Sequence, residues 1–220
     1  MKPWMLVAIL APLMVAIAVL AVVAAVHDEG AQNTALPSDL STSATAAAGA
    51  ADPGATNLRD QDGKPFSLAN LHGKVVLLYF GYTFCPDVCP TELGWIARVV
   101  KGLGADGMAV APVFVTIDPE RDTAAVLKGY VPLFQCHLTG VTGPAAAISA
   151  LSTAYDVVAR REPIDATKPD GPYLITHSST IFILDRAGQV QGTTGSHDEV
   201  AGVVARLRML ITGGALPAAP

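Results

Sequence analysis

The sequence predicts an α/β domain with a mixed central sheet. Two apolar runs without alternation, VVLLYFG (75–81) and AVAPVFVTID (109–118), are typical of strands that are buried on both faces of a sheet. Segments with apolar residues at helical spacing follow both runs. Near the end of the chain, two strand-like segments separated by a turn precede an amphipathic helix. This order favours a sheet with both parallel and antiparallel strands.

The first predicted elements are a hairpin, a buried strand and a helix. The segment NLRDQDGKPFSL (57–68) contains an Asp-Gly pair, which predicts a turn between two short strands. The buried strand 75–81 follows and leads into a segment with two cysteines. Apolar side chains then recur at helical spacing over residues 93–103, and Gly102 and Gly104 end the predicted helix.

Helices and short strands alternate after the strand 109–118. The segment RDTAAVLKGYVPLF (121–134) predicts a helix with Asp122 as its N-cap. The segment CHLTGVTG (136–143) predicts a short strand and a turn. The helix that follows is predicted to have Pro144 in its first turn.

The last third of the domain contains the longest predicted loop. DVVARRE (156–162) predicts a short strand, and PIDATKPDGPYLIT (163–176) predicts an irregular segment that is long for a compact domain. STIFILD and GQVQGTT then predict a hairpin. The last helix is predicted to begin at Ser196, whose pairing with Glu199 is a capping-box pattern.

Residues 1–26 predict a membrane anchor, because residues 4–26 form an uncharged apolar run long enough to cross a bilayer. A cleavable signal peptide is the alternative, but its apolar core usually has only about 7–15 residues. Lys2 precedes the run and acidic residues follow it, which predicts a cytoplasmic N-terminus. The N-terminal segment does not resemble the Arg- and Ser-rich amphipathic presequence of a mitochondrial precursor. We therefore expect a single-pass protein of the bacterial inner membrane, with its C-terminal domain in the periplasm.

Residues 27–56 predict a flexible linker, because Ala, Ser, Thr, Gly and Pro dominate and no segment could build a core. The globular domain then spans residues 57–212, and a short tail covers residues 213–220. Basic and acidic side chains nearly balance in the domain, with no basic cluster. Nucleic-acid binding normally needs a positive surface and is therefore set aside.

The segment YFGYTFCPDVCPTEL (79–93) joins the first buried strand to the first helix. In open α/β sheets, functional sites form at the carboxyl ends of strands. Cys85 and Cys89 are each followed by a proline, which stiffens the loop. If the first helical turn extends back far enough, their spacing brings both sulfurs to one face. The positive end of the helix is then expected to favour thiolates.

From the residues alone, the two cysteines have three possible uses: a structural disulfide, a redox couple or part of a metal site. A disulfide across so few residues closes too small a loop to stabilise a domain of this size appreciably. A redox couple needs only the pair, whereas a copper(I) site benefits from a third ligand and accepts imidazole. His177 is the candidate for that ligand, since it precedes a predicted buried strand and can face the cysteine helix.

Five segments together resemble the SCO/SenC family of copper-handling, thioredoxin-fold proteins: GKPFSL, LLYFGYTFCPDVCPTEL, VFVTIDPERDT, LTGVTG and YLITHSS. The resemblance covers about residues 57–212 and is most specific in the cysteine segment and in TIDPERDT. It implies a thioredoxin-like α/β fold with a mixed central sheet and an N-terminal β-hairpin, preceded by one transmembrane helix.

The resemblance implies that Cys85, Cys89 and His177 bind copper, as Cu(I) and also as Cu(II). The implied function is that of a metallochaperone that assists assembly of the binuclear copper centre of cytochrome c oxidase. The implied partners are the copper-bearing oxidase subunit, other copper chaperones and thiol reductants. The alternative is a membrane-tethered thiol–disulfide oxidoreductase that acts on these partners with the same two cysteines as its redox pair.

Two features depart from the family pattern. Many members have an acidic residue immediately before the histidine, where this chain has Thr176, so a carboxylate that orients the imidazole is either absent or supplied from elsewhere in the chain. Cys136 also lies outside the pattern, and we expect a buried strand cysteine rather than a second metal site with His137.

Asp118 and Asp122 are expected to support the site rather than to act as ligands. The histidines expected to have no ligand role are His27, His72 and His197.

Overall fold

The computed structural model describes residues 57–214, which contain eight β-strands and four α-helices besides short 3-10 helices. The strands are β1 (Arg59–Asp60), β2 (Val75–Gly81), β3 (Val110–Thr116), β4 (Thr139–Thr142), β5 (Ala159–Pro163), β6 (Tyr173–His177), β7 (Ile181–Leu184) and β8 (Val190–Thr194). The α-helices are α1 (Val88–Leu103), α2 (Ala124–Tyr130), α3 (Ala145–Ala154) and α4 (Val200–Ile211).

The predicted anchor and linker lie outside the described residues, as does the tail beyond Gly214. Within residues 57–214, none of the helices combines the length and the apolar character that a membrane span requires.

A six-stranded sheet runs through the domain in the order β1-β4-β3-β2-β7-β8. The strands β2, β3 and β4 are mutually parallel, whereas β1, β7 and β8 pair antiparallel with their neighbours. The strands β5 and β6 form a separate two-stranded antiparallel sheet. The predicted α/β architecture with a mixed central sheet is therefore confirmed.

The central sheet separates two hydrophobic clusters, because successive side chains of a strand point to opposite faces. On β2, Leu77 and Tyr79 pack on the face covered by α1 and α4, whereas Leu78 and Phe80 pack on the face covered by α3. All residues of β2 and β3 are buried. Helices cover both faces of these strands, which explains why their sequences are apolar without alternation.

A buried carboxylate links α1 to the segment before α4. Glu92 lies on the buried face of α1 and is only 6% exposed. Its carboxylate accepts hydrogen bonds from the backbone N–H of Ser196 at 2.9 Å and from the Ser196 hydroxyl at 2.6 Å. Both contacts join positions more than a hundred residues apart in the chain, so they fix the packing of the last helix against the first.

The helix predicted over 121–134 is shorter and is capped by a different residue. The Thr123 hydroxyl accepts a hydrogen bond from the N–H of Val126 at 3.3 Å and caps α2. The prediction that Asp122 is the N-cap is wrong, because this side chain is fully buried and bonds to other segments. The segment Val131–Phe134 forms a separate 3-10 helix.

The capping box predicted at Ser196 is also wrong. The Ser196 hydroxyl bonds to Glu92 and is not available as a cap, and α4 begins only at Val200. Glu199 itself occupies the N-cap position and makes no side-chain capping bond there. A smaller difference concerns Pro144, which lies at the N-cap of α3 rather than in its first turn.

The segment 163–176 is not irregular throughout, because its last residues form β6 and pair with β5. The alternating pattern of β6 covers only five residues, too few to distinguish a strand from a loop in sequence.

The predicted N-terminal hairpin is reduced to β1 and a single bridge between Arg59 and Pro65. Cys136 is buried as expected but precedes β4 rather than lying within it.

Replacing Ser196 with alanine is expected to lower the free energy of unfolding by about 1–3 kcal/mol, because the buried Glu92 carboxylate loses a hydroxyl donor. Urea denaturation of the variant and the wild type measures the difference. Thr153→Ala removes an exposed hydroxyl and is expected to stay within about 0.5 kcal/mol of wild type. Equal losses in both variants would contradict the role given to Ser196.

Candidate metal centre

Three chain segments meet at one edge of the central sheet. The strands β2 and β3 are parallel, with Gly81 opposite Thr116, so the loops that follow them leave from the same edge. The strand β7 runs antiparallel to β2, with Ile181 opposite Tyr79, so the segment before β7 arrives at that edge. The first loop carries two cysteines and the last segment carries a histidine. The topology of the sheet therefore brings these side chains together.

Cys85, Cys89 and His177 form the candidate site. Each offers one donor atom, and these three atoms all lie within 4.8 Å of one another. The Sγ atom of Cys89 is 3.3 Å from Nε2 of His177. Over residues 57–214, no other group of three or more His, Cys, Asp or Glu side chains is arranged to hold a metal. Two sulfurs and an imidazole suit soft or borderline cations such as copper, whereas magnesium and calcium prefer oxygen ligands.

The orientation of His177 is fixed through its other ring nitrogen. The Nδ1 atom lies 2.8 Å from the carbonyl oxygen of Ser178. Because a carbonyl only accepts hydrogen bonds, Nδ1 carries the proton and Nε2 presents its lone pair to the cysteines. Burial lowers the pKa of His177, so the neutral form that binds metals predominates at neutral pH. Thr176 is exposed, and the Ser178 carbonyl takes over the orienting role of an acidic residue at that position.

The two cysteines differ in exposure. Cys89 lies in the first turn of α1 and is fully buried, whereas Cys85 is half-buried, and both are free thiols. The backbone N–H of Cys89 donates to the Cys85 sulfur at 3.4 Å. Burial raises the pKa of Cys89 to about 12. The expectation that the helix end favours a thiolate is therefore wrong for Cys89, because the cost of desolvating the charge outweighs the helix terminus.

A buried carboxylate holds the start of the cysteine loop. Asp122 is fully buried and accepts hydrogen bonds from the backbone N–H of Thr83 at 2.9 Å and from its hydroxyl at 2.5 Å. A third bond comes from the hydroxyl of Thr116 at 2.7 Å, at the end of β3. Since Thr83 lies two residues before Cys85, these bonds attach the cysteine loop to the end of the neighbouring strand.

A second buried carboxylate from the same segment holds the strand that carries His177. Asp118 accepts a hydrogen bond from the Tyr173 hydroxyl at 2.9 Å and forms an ion pair with Arg121. Arg121 also donates to the carbonyl oxygen of Tyr173 at 3.0 Å, and its guanidinium carbon lies 3.8 Å from the centre of that ring. Tyr173 is the first residue of β6 and His177 is the last, so this group anchors the histidine strand.

One further contact joins the cysteine and histidine segments directly. The Tyr82 hydroxyl accepts a hydrogen bond from the N–H of Ile175 at 3.1 Å, between the residue after β2 and the middle of β6. Tyr82, Arg121 and Tyr173 lie within the segments that resemble the SCO/SenC family, but the sequence gives none of the three a role in the site. The available signal was the parallel order of β2 and β3, which predicts that TIDPERDT lies beside the cysteine loop.

None of the remaining candidate residues joins the donor group. Cys136 belongs to the hydrophobic core, and burial raises its pKa to about 11. His137 does not pair with it, because its Nε2 atom lies 3.0 Å from the carbonyl oxygen of Val110. His72 and His197 are exposed, and His27 lies outside the described residues.

Comparison with known proteins identifies the family. The SCO1/SenC family model matches residues 47–212 of this chain. The chain belongs to the SCO1/SenC family. The match extends over both cysteines and the histidine, and it confirms the resemblance seen in the sequence.

Two curated relatives and one solved structure show how close the likeness is. An SCO2-like protein of Rickettsia prowazekii is 37% identical over 136 residues, which cover 62% of this chain and 65% of the relative. The mitochondrial SCO2 homologue of Bos taurus is 42% identical over 134 residues, which cover 60% and 49%. This SCO1/SenC chain therefore spans between about half and two thirds of the length of these relatives.

The solved structure is that of Bradyrhizobium japonicum ScoI with copper bound. It is 37% identical to this SCO1/SenC chain, with a TM-score of 0.65, over 70% of this chain and 96% of ScoI. The thioredoxin-like α/β fold that the family resemblance implies therefore matches a solved SCO structure.

Replacing Asp122 with asparagine is expected to loosen the cysteine loop. The amide group has only one accepting oxygen, so it cannot serve all the donors of Thr83 and Thr116. We expect the free energy of unfolding to fall by about 1.5–3 kcal/mol, measured by urea denaturation. The matched control is Asp87→Asn, at an exposed carboxylate without a capping bond, which is expected to change little. Similar losses in both variants would argue against a bracing role for Asp122.

Proposed function

We propose that this chain binds copper through Cys85, Cys89 and His177 and delivers it for assembly of the binuclear copper centre of cytochrome c oxidase. The observation that carries the proposal is the grouping of three donor atoms within 4.8 Å. Two thiolates and an imidazole form a soft donor set that suits Cu(I) and also accommodates Cu(II). The copper-bound structure of the related ScoI supports this use of the site.

Transfer by ligand exchange fits the unequal exposure of the cysteines. Cys85 is half-buried and Cys89 is fully buried, so a ligand from a partner protein reaches the metal from the side of Cys85. As the partner ligand binds, the Cys85 thiolate dissociates and takes up a proton from solvent. When copper passes to the partner, His177 releases it as a neutral imidazole and the Cys89 thiolate also takes up a proton. Phe84 and Val88, which are 62% and 42% exposed, flank Cys85 and offer apolar contacts to a docking surface.

The proposed partners follow from this role. The copper-bearing subunit of the oxidase receives the metal, other copper chaperones supply it, and thiol reductants keep the two cysteines reduced. The redox partners are required because a Cys85–Cys89 disulfide has no thiolates with which to bind copper.

We further propose that residues 1–26 anchor the protein in a bacterial inner membrane, with residues 57–212 in the periplasm. The apolar run 4–26 and the position of Lys2 before it support this orientation. Alkaline phosphatase, which needs export to become active, is fused after residue 56 to test it. We expect high phosphatase activity in cells, and an inactive fusion of normal abundance would contradict the orientation.

A thiol–disulfide reductase is the second candidate, and the unequal exposure of the thiols also favours it. The Cys85 thiolate would attack a disulfide of the partner and form a mixed disulfide. Cys89 would then attack the Cys85 sulfur, which leaves a Cys85–Cys89 disulfide and a reduced partner. The reduction potential of the pair separates the two functions. A potential far below those of the partner proteins would keep the pair oxidised and unavailable for copper.

Replacing His177 with alanine is expected to weaken Cu(I) binding at least about tenfold, an effect usual even for residues that only orient a metal ligand. The Cys85→Ser and Cys89→Ser variants are expected to lose more, because each removes a thiolate. Anaerobic competition titrations against a chromophoric Cu(I) chelator measure the affinities.

The matched control for this titration is His197→Ala. The His197 side chain is 81% exposed and is not part of the donor group. We expect wild-type affinity for this variant. If His177→Ala binds both Cu(I) and Cu(II) as tightly as wild type, the three-ligand site is wrong.

Copper affinity is expected to rise with pH between about pH 6 and 8. The pKa of Cys89 is about 12, so Cu(I) must displace a proton from this thiol, and each displaced proton adds about a tenfold gain in affinity per pH unit. Burial lowers the pKa of His177 below its ordinary value, so the imidazole proton contributes to this slope only at the acidic end of the range. Titrations at several pH values measure the dependence, and a pH-independent affinity would contradict binding through a buried thiolate.

A further inference from the structure

Tyr79 lies directly beside the proposed copper ligands. It is on β2, its side chain is fully buried, and it shares a cluster with Cys89. A Cβ atom added to Gly81 would lie 2.9 Å from Sγ of Cys89 and 3.0 Å from Cε1 of Tyr79, so both side chains border the same glycine. The ring of His177 meets that of Tyr79 edge-on, with ring centroids 6.3 Å apart. Tyr79 therefore adjoins two of the three ligands.

The hydroxyl of Tyr79 has no hydrogen-bond partner among residues 57–214, although it is buried. Buried hydroxyls nearly always have a partner, because losing water without compensation is unfavourable. The Cys89 sulfur lies near this hydroxyl, and both side chains border Gly81. The hydroxyl is therefore a buried donor held close to a sulfur.

We propose that Tyr79 is a positioning residue of the copper site and that its hydroxyl donates a hydrogen bond to the Cys89 sulfur when copper binds. This inference rests on the proposed copper-binding function. A thiol sulfur is a weak acceptor, whereas a thiolate is charged and accepts strongly. Copper displaces the Cys89 proton to solvent, Tyr79 keeps its own proton, and the new hydrogen bond satisfies the buried hydroxyl. The bond also fixes the direction in which the thiolate faces the metal.

Tyr130 supplies a matched comparison within the same aromatic cluster. Its hydroxyl is also buried and without a partner in the described part of the chain. The Phe114 ring packs between the rings of Tyr79 and Tyr130. Its centroid is 5.7 Å from that of Tyr130 and 6.3 Å from that of Tyr79. Removing this hydroxyl tests the loss of a buried oxygen without the loss of the proposed bond.

The test compares Tyr79→Phe with Tyr130→Phe in the full 220-residue chain. Cu(I) affinity is measured by anaerobic competition, together with the melting temperature of each apo variant. We expect Tyr79→Phe to bind Cu(I) about tenfold more weakly than wild type, the lower end of the effect of groups that orient metal ligands. Tyr130→Phe is expected to bind with wild-type affinity, and both variants are expected to melt close to wild type.

A spectroscopic measurement on the wild type reports the bond itself. Cu(I) is diamagnetic, so the Cζ resonances of the five tyrosines can be followed by NMR in protein labelled at that carbon. The Tyr79 resonance is assigned by its absence in Tyr79→Phe, and Tyr130 in the same way. We expect the Tyr79 resonance to shift on Cu(I) loading by more than that of Tyr130.

Three outcomes would overturn the inference. Equal Cu(I) affinity of Tyr79→Phe and wild type would remove its basis, as would equal weakening in both tyrosine variants. A Tyr79 Cζ resonance that does not move on loading would show that no hydrogen bond forms. These outcomes differ from failure of the proposed function, in which the wild type itself does not bind Cu(I) and the inference falls with it.

Discussion

Two buried carboxylates, Asp118 and Asp122, come from one short segment after β3, and each holds a different part of the candidate metal site. Asp122 fixes Thr83 at the start of the cysteine loop, and Asp118 fixes Tyr173 at the start of the histidine strand. This arrangement is possible because β2 and β3 are parallel and end at the same edge of the sheet. Buried carboxylates persist only where donors satisfy them, so these bonds constrain the site more strongly than exposed contacts would.

The charges of the site residues differ between the metal-free and the metal-bound protein. Without a metal, the Cys89 thiol and the His177 imidazole are both neutral, since burial raises the pKa of the thiol and lowers that of the imidazole. The same burial that opposes charge on Cys89 favours a cation that neutralises the thiolate. The fold therefore makes the bare thiolate unfavourable and leaves a bound soft cation as the main source of its stabilisation.

The sequence predicted the central strands and the three candidate donors that the structure brings together, and it predicted the boundaries of several elements less well. The runs at β2 and β3 are apolar because helices cover both faces, a local signal that does not depend on the partners. The caps at Asp122 and Ser196 were wrong because each side chain has a stronger partner elsewhere, Thr83 for one and Glu92 for the other. Tertiary partners of this kind have no local signature. The contacts of Tyr82 and Tyr173 were missed for the same reason, whereas the cysteines and the histidine could be found because their chemistry limits the roles that they can play.

The most direct test of the account is X-ray absorption at the copper edge, recorded on the full chain loaded with one equivalent of Cu(I). The account predicts two sulfur scatterers and one imidazole nitrogen, with the imidazole signal lost in His177→Ala and both sulfurs retained. A first shell made only of nitrogen and oxygen would contradict it, because the metal would then lie away from Cys85 and Cys89. An imidazole signal that persists in His177→Ala would contradict the assignment of the third ligand.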